Sequence, residues 1–196
     1  IDVPIAAAGG FRDGRGLVAA LAMGADGIAM GTRFLLTQQS PVPEATKQIY
    51  LGTPPEKIVV STKLDGLPQR MIANSYLDKL IQASQLGLLA RAIKNGLAFS
   101  RMQGGSLIAT LGGAWKMYRS GDLSFGQTLM AANAPMMIQE AMVKGKPDAG
   151  ILPSGQVAGL IEDLPSVSDL IESIVEEAQQ SAGRISQTIV PKENNQ

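Results

Sequence analysis

Two short apolar runs that end in glycine constrain the fold more than any other feature of the chain. The first run covers residues 3–8 and ends at Gly9-Gly10, and the second covers residues 27–30 and ends at Gly31. Short, nearly continuous apolar runs are typical of strands that are buried on both faces, as in a parallel sheet. We therefore predict two buried strands, each followed by glycine; we call Gly9-Gly10 and Gly31 the glycine corners.

A short helix is predicted between the two strands. Residues 17–23 are rich in alanine and leucine, and Gly24 is suited to the C-terminal end of a helix. A strand, a helix and a second strand in so short a span form a right-handed crossover, which makes the strands parallel. We expect the strands to be neighbours whose glycine corners lie on the same rim.

The glycine corners are predicted to bind a phosphate group. A phosphate dianion needs several N–H donors that converge without Cβ atoms in the way, and glycine at a strand end provides this arrangement. At the second corner Thr32 adds a hydroxyl donor and Arg33 a charge, although Arg33 is equally suited to pairing with a carboxylate on the surface. Any one of these glycines can also serve only to permit a tight turn.

The spacing of the corners distinguishes two phosphate-binding folds. In (β/α)8 barrels the loops after the last two strands form the usual phosphate site, and the chain fits that pattern. The glycines at 9, 10, 14 and 16 do not have the spacing of a dinucleotide-binding motif, and no acidic residue ends the next strand. A barrel is therefore favoured.

The chain changes character after residue 40. Apolar runs at 58–62 and 70–72, with a turn sequence at 64–68 between them, predict a pair of strands. Residues 74–145 show a helical period that is broken by glycine, asparagine and proline, and they predict several short helices. Seven of the nine methionines lie between positions 71 and 142, which favours a soft helical core over a pocket lining.

A glycine-containing stretch and a final helix end the chain. Residues 148–161 alternate small and apolar side chains, which indicates a close approach of the backbone to another part of the structure. Ser166 and Asp169 have the spacing of a capping box and predict the start of an amphipathic helix. The polar tail after Gly183 is expected to fray.

The composition excludes several kinds of function. Lys plus Arg and Asp plus Glu both number 17, so no net charge attracts nucleic acid or an anionic membrane. The chain has no cysteine and no histidine, which excludes a disulfide, a thiolate nucleophile and an imidazole base of its own. The acidic residues are scattered, so we expect no metal site. Without a signal peptide or a long apolar run, we expect a cytoplasmic protein.

Three segments resemble the nitronate monooxygenase (2-nitropropane dioxygenase) family. They are residues 4–16, residues 24–34 and residues 153–161 followed by Asp163, and they occur in the order of the family's motifs. The first two segments are also similar to flavin-dependent enoyl-acyl-carrier-protein reductases of the FabK type and to the IMP dehydrogenase group. The third segment, a late glycine-glutamine motif, is what makes the resemblance specific.

The resemblance implies a fold, a cofactor and a set of binding residues. The fold class is α/β, the C-terminal portion of a (β/α)8 TIM barrel with an inserted, mainly helical second domain, and the cofactor is FMN. The family's active-site histidine has no counterpart here, so the catalytic residues are unknown. Gln156 is also suited to a surface or capping role. The residues implied to bind FMN are Gly9, Gly10, Met30, Gly31 and Thr32 at the phosphate and ribityl chain, and Ser154, Gly155 and Gln156 near the isoalloxazine ring.

The predicted organisation has three regions. Residues 1–40 hold the last two barrel strands with their phosphate-binding loops, residues 41–147 form a mainly helical substrate or lid domain, and residues 148–196 return to the barrel rim and end in a helix. The chain starts at Ile1 within an apolar run, and two strands cannot close a barrel, which needs about eight. We expect the N-terminal half of the same protein as a partner, and a chain that is inactive alone.

The implied function is FMN-dependent oxidation of nitronates or related carbon acids with O2. The alternative enzyme function is FMN-dependent reduction of an enoyl thioester with a nicotinamide donor. The alternative from another class is a non-catalytic structural or association fragment. Both enzyme functions require a small-molecule substrate, and a homo-oligomer is compatible with each.

Overall fold

A computed structural model describes residues 3–64, 67–83 and 134–189. The chain divides into two compact units: unit 1 comprises Ile1–Ser40 and Gly155–Gln196, and unit 2 comprises Pro41–Ser154. The short helices that the sequence predicts between 84 and 133 lie outside the described residues. The helices are α1 (Gly14–Ala22), α2 (Thr32–Leu35), α3 (Glu44–Leu51), α4 (Ser75–Gln82), α5 (Ala134–Met142) and α6 (Val167–Ile189), and 3-10 turns cover Pro55–Lys57, Pro147–Ala149 and Gln156–Leu160.

Unit 1 contains the predicted pair of parallel strands, β1 (Ala6–Ala8) and β2 (Gly27–Ala29), in direct register. Asp26 fixes this register at the start of β1. Its amide donates to the carbonyl of Ile5 at 2.8 Å, and its carboxylate accepts from the amide of Ile5 at 2.7 Å. The prediction of neighbouring parallel strands is confirmed.

The prediction that both faces of these strands are buried is wrong for the described structure. Ala6, Ala8 and Ala29 are exposed, and the preceding Val3 and Ile5 are 58% and 46% exposed. A parallel strand is buried when it has neighbours on both edges and cover on both faces. Within the described part of unit 1 the sheet has only two strands, so most of its apolar surface lies open.

The helices α1 and α6 pack against each other in unit 1. Asp13 caps α1 by accepting from the amide of Gly16 at 3.1 Å. The backbones approach closely at Gly14, where an added Cβ would lie 2.4 Å from both the Ala178 nitrogen and the Ile174 oxygen. Glycine at position 14 therefore permits this packing.

The predicted start of the final helix is confirmed and its predicted end is wrong. The amide of Asp169 donates to the hydroxyl of Ser166 at 3.1 Å, as the capping spacing indicates. The helix continues past Gly183 to Ile189. Glycine in a helix interior costs only about 1 kcal/mol, and the hydrogen bonds of a 23-residue helix are enough to span it.

Unit 2 contains an antiparallel hairpin and a hydrophobic core. The strands β3 (Ile58–Ser61) and β4 (Gln69–Ile72) pair as predicted. Two residues of the predicted turn, 65 and 66, lie outside the described structure. Met71 on β4 and Met137 on α5 are core residues, and Met102, Met117 and Met130 lie outside the described residues. The core cluster consists of Leu64, Met71, Leu77, Leu80, Met137 and Ile151.

Residues 151–154 belong to unit 2 through backbone hydrogen bonds. The amide of Ile151 donates to Met137, the carbonyl of Leu152 accepts from Ile72, and the amide of Ser154 donates to Arg70, each at 3.0 Å. The boundary between the units therefore lies after Ser154, later than the sequence-based division at 147 and 148. In the described residues, no helix has the length and apolar character needed to cross a membrane.

Candidate functional site

The two glycine corners lie side by side at the ends of β1 and β2. Because Ala8 is opposite Ala29, the chain leaves both strands at the same level. Gly9 and Gly10 have φ angles of +99° and +78°, a conformation that glycine adopts most readily. An added Cβ at Gly9, Gly10 or Gly31 would meet no heavy atom within 4 Å among the described residues. A ligand can therefore approach the backbone closely at both corners.

Thr32 brings Gly155 to the second corner. It is the first residue of α2, directly after Gly31, and its hydroxyl oxygen accepts the amide hydrogen of Gly155 at 2.8 Å. An added Cβ at Gly155 would lie 3.0 Å from that oxygen, so glycine at this position permits the contact. Three late residues, Ser154, Gly155 and Gln156, were predicted to bind FMN. Of these, Gly155 lies beside Thr32 in unit 1.

The other two late residues have different surroundings. Gln156 begins the 3-10 turn Gln156–Leu160, and its side chain is exposed. Ser154 belongs to unit 2, where its amide bonds to the Arg70 carbonyl. Met30, which precedes Gly31 and is also predicted to bind FMN, is half-buried. In unit 1 the structure places Gly9, Gly10, Met30, Gly31, Thr32 and Gly155 around the strand ends.

Arg33 pairs with a carboxylate. Its guanidinium group contacts both carboxylate oxygens of Asp163, at 2.9 and 3.0 Å, and its side chain is only 8% exposed. The pairing that the sequence left open is therefore found, with the Arg33 side chain buried and the Asp163 side chain exposed. Two parallel N–H···O bonds of this kind are geometrically specific and charge-assisted. The pair ties α2 to the segment that follows the 3-10 turn.

A network of charged side chains lies beyond the first corner. The amide of Gly16 and the guanidinium of Arg15 donate to the carboxylate of Asp13, at 3.1 and 2.8 Å. Burial alone would raise the pKa of Asp13. These hydrogen bonds and the charges of Arg15 and Arg12 outweigh that effect and leave the pKa below its usual value. Asp13 is therefore an ionised carboxylate whose charge is balanced by two arginines.

Sequence reasoning missed the role of Arg12. One of its terminal nitrogens donates to the carbonyl of Leu160, 148 positions later in the chain. No local sequence signal connects residues so far apart, and an arginine after a glycine corner is equally compatible with a surface position. Arg12, Arg33 and Asp163 also line a small pocket of about 130 Å³ in unit 1.

We expect replacement of Arg33 by methionine to destabilise unit 1 by about 1–2 kcal/mol. A hydrogen bond to a charged group contributes about 1.5–3 kcal/mol, and this value is reduced here because Asp163 is 64% exposed and water replaces part of the interaction. Urea unfolding of the complete protein measures the change. The control is Lys144→Met, which breaks a pair between Glu140 on α5 and a lysine that is 41% exposed, against 8% for Arg33. An equal effect of both substitutions would contradict a special role for the pair that the buried Arg33 makes.

The corners fit the phosphate of FMN. They combine backbone without Cβ atoms at Gly9, Gly10 and Gly31 with a hydroxyl at Thr32, and such elements bind phosphate groups in many proteins. The nearest following carboxylate, Asp13, is engaged by Arg12 and Arg15. Its charge is thereby kept from opposing an anion at the corners.

Comparison with known proteins identifies the family. Residues 1–177 match the model of the nitronate monooxygenase family. The chain is 46% identical, over 176 residues, to a (3aS,4S,5R,7aS)-5-hydroxy-7a-methyl-1-oxo-octahydro-1H-indene-4-carboxyl-CoA dehydrogenase of Mycobacterium tuberculosis, covering 90% of this chain and 50% of the relative. It is 39% identical over 80 residues to a probable nitronate monooxygenase of Staphylococcus saprophyticus, covering 41% of this chain and 22% of the relative.

A solved structure has a similar fold. FabK from Thermotoga maritima superimposes with a TM-score of 0.64 and 24% sequence identity, over 96% of this chain and 48% of that protein. The chain thus spans about half the length of the carboxyl-CoA dehydrogenase and of FabK. The match to the family model covers most of the chain, from the first strand into the final helix. The chain therefore belongs to the nitronate monooxygenase family.

Proposed function

We propose that the protein is an FMN-dependent oxidoreductase and that the glycine corners of this chain hold the FMN phosphate. The observation that carries the proposal is the register of β1 and β2, which sets Gly9-Gly10 beside Met30-Gly31 with open space over the backbone of the described residues. Thr32 adds a hydroxyl at the same corner. Bound FMN would accept the two electrons that leave the substrate, and this chain would bind and orient it.

The proposed substrate is a carbon acid, a molecule whose C–H bond is acidified by a neighbouring nitro or carbonyl group. Nitronates are the substrate class in the name of the matched family model. A nitronate has already lost the acidic proton. From a substrate that still carries it, the proton would be removed by a base outside this chain if that base is an imidazole, because the chain contains no histidine. With a nitronate, O2 would be the final electron acceptor.

A second candidate substrate is an acyl-CoA thioester, whose α-carbon is also acidic. A specific observation favours it: the identity to the carboxyl-CoA dehydrogenase is 46% and extends over 90% of the chain, whereas the identity to the probable nitronate monooxygenase is 39% over 41% of the chain. The longer match includes the middle of the chain. We infer that an acyl-CoA is the better supported substrate class of the two.

A further polypeptide would complete the site. The matched relatives are about twice as long as this chain, and Val3 and Ile5, which lead into β1, are exposed. Burial of this apolar surface against further strands would stabilise the sheet, at about 25 cal/mol per Å². We propose that the N-terminal half of the same protein supplies those strands and the remaining parts of a (β/α)8 barrel.

We expect the complete protein to be yellow, with the absorbance of bound flavin. Oxygen uptake with a nitronate, compared with dehydrogenation of an acyl-CoA in the presence of an artificial electron acceptor, identifies the substrate class. The matched control is the 196-residue chain alone, which should bind FMN much more weakly. Colourless complete protein that gains no absorbance from added FMN contradicts the proposed cofactor and favours a structural role.

A further inference from the structure

Three side chains connect the glycine corners to one late segment of unit 1, residues 155–163. Thr32 accepts from the amide of Gly155, Arg33 pairs with Asp163, and Arg12 donates to the carbonyl of Leu160. Each of the three side chains follows a glycine corner closely in sequence. The late segment is therefore held at its start, its middle and its end by the same loops that form the corners.

Of these three side chains, Thr32 is the one that directly follows Gly31 and therefore lies nearest in sequence to a ligand at the second corner. A hydroxyl group has one hydrogen to donate and two lone pairs with which to accept. The bond from Gly155, at 2.8 Å, uses Thr32 as an acceptor and leaves the hydroxyl hydrogen for another partner. Arg33 differs in this respect, because its guanidinium is engaged by the carboxylate of Asp163.

We propose that Thr32 is a positioning residue that couples phosphate binding at the glycine corners to the docking of Gly155 and the 3-10 turn Gln156–Leu160. This inference rests on the proposed function. The Thr32 hydroxyl donates to a phosphate oxygen and accepts the Gly155 amide, so that both hydrogen bonds share one oxygen atom. In such a chain each bond polarises and strengthens the next. The coupling acts in both directions, since a docked turn also favours phosphate binding.

The coupling has a consequence for Gln156. This residue follows Gly155 directly, opens the 3-10 turn and has an exposed side chain. When the amide of Gly155 is fixed on Thr32, the backbone that carries Gln156 is fixed as well. Phosphate binding thereby orders a residue whose amide side chain is free to meet another part of the cofactor or the substrate.

Hydrogen exchange of the backbone amides 155–160 in the complete protein tests the coupling. We expect FMN to slow exchange at Gly155 about tenfold or more, inorganic phosphate to slow it in the same direction, and riboflavin, which lacks the phosphate, to have little effect. Thr32→Val keeps the shape of the side chain and removes the hydroxyl. It should abolish the slowing and weaken FMN binding about tenfold or more, the usual effect of losing a hydrogen bond to a charged group.

Two further variants separate the coupling from general stability. Thr32→Ser keeps the hydroxyl and should restore both the slowed exchange and the FMN affinity. Thr53→Val removes a hydroxyl that bonds to the carbonyl of Ile49 in unit 2. In this variant FMN should slow the exchange of amides 155–160 as much as it does in the unmodified protein. If FMN binds but exchange at 155–160 is unchanged, or if Thr32→Val responds like the unmodified protein, the coupling is wrong and the proposed function stands. If FMN does not bind the unmodified protein, both are wrong.

Discussion

Replacement of Gly31 by valine should weaken FMN binding about a hundredfold or more while leaving the stability of the protein nearly unchanged. An added Cβ at Gly31 meets no heavy atom within 4 Å in the described part of the chain, and its backbone has a φ of −90°, which any L-residue adopts. The new side chain would instead fill the space required by the phosphate. Loss of two charge-assisted hydrogen bonds, at about 1.5–3 kcal/mol each, corresponds to this change in affinity.

Gly31 is a sharper test of the phosphate site than Gly10. Gly10 has a φ of +78°, so any other residue there would strain the backbone by about 1–2 kcal/mol, with or without a ligand. Reduced FMN binding by a Gly10 variant would therefore mix two causes. At Gly31 a ligand is the expected obstacle to a larger side chain.

The measurement is a titration of the apoprotein with FMN and with riboflavin, followed by flavin fluorescence. The FMN affinity of Gly31→Ala should lie between those of the unmodified protein and Gly31→Val, because alanine adds only the Cβ. Riboflavin has no phosphate, and its affinity should change little in either variant. FMN binding by Gly31→Val that equals that of the unmodified protein would place the phosphate elsewhere.

The local parts of the fold could be predicted from the sequence because their signals lie within a few residues. The crossover from β1 to β2 follows from two apolar runs and the alanine-rich helix between them, and the parallel pairing is confirmed. The cap of α6 follows from the spacing of Ser166 and Asp169. Each of these features depends on contacts between residues that are close in sequence or on one short connection.

The contacts that assemble the candidate site could not be predicted, because they join residues far apart in sequence. Thr32 and Gly155 are separated by 123 positions, and Arg33 and Asp163 by 130. The sequence showed that Thr32 could form a hydrogen bond and that Arg33 could pair with a carboxylate, but it did not show which residue is the partner of either. Burial of the strands was also predicted wrongly, because an apolar run shows only that a strand is suited to burial. Whether it is covered depends on other parts of the structure.

The close packing of α1 on α6 leads to the second large effect: Gly14→Ala should destabilise the protein by about 1–3 kcal/mol or more. The added Cβ would lie 2.4 Å from the Ala178 nitrogen and the Ile174 oxygen, and both are backbone atoms that cannot rotate away. The two helices would have to separate. Separation would also weaken the bond from the Gly14 amide to the carboxylate of Glu177, now 2.9 Å long.

Gly183→Ala is the matched control for this prediction, because it makes the same chemical change on α6. An added Cβ at Gly183 meets no heavy atom within 4 Å among the described residues, and alanine is favoured over glycine in a helix by about 0.5–1 kcal/mol. Urea unfolding of the complete protein should thus show a lower midpoint for Gly14→Ala and an equal or higher midpoint for Gly183→Ala. A Gly14→Ala variant as stable as the unmodified protein would show that the two helices do not pack this closely. FMN binding should fall together with stability in Gly14→Ala, since α1 begins at the loop that carries the first glycine corner.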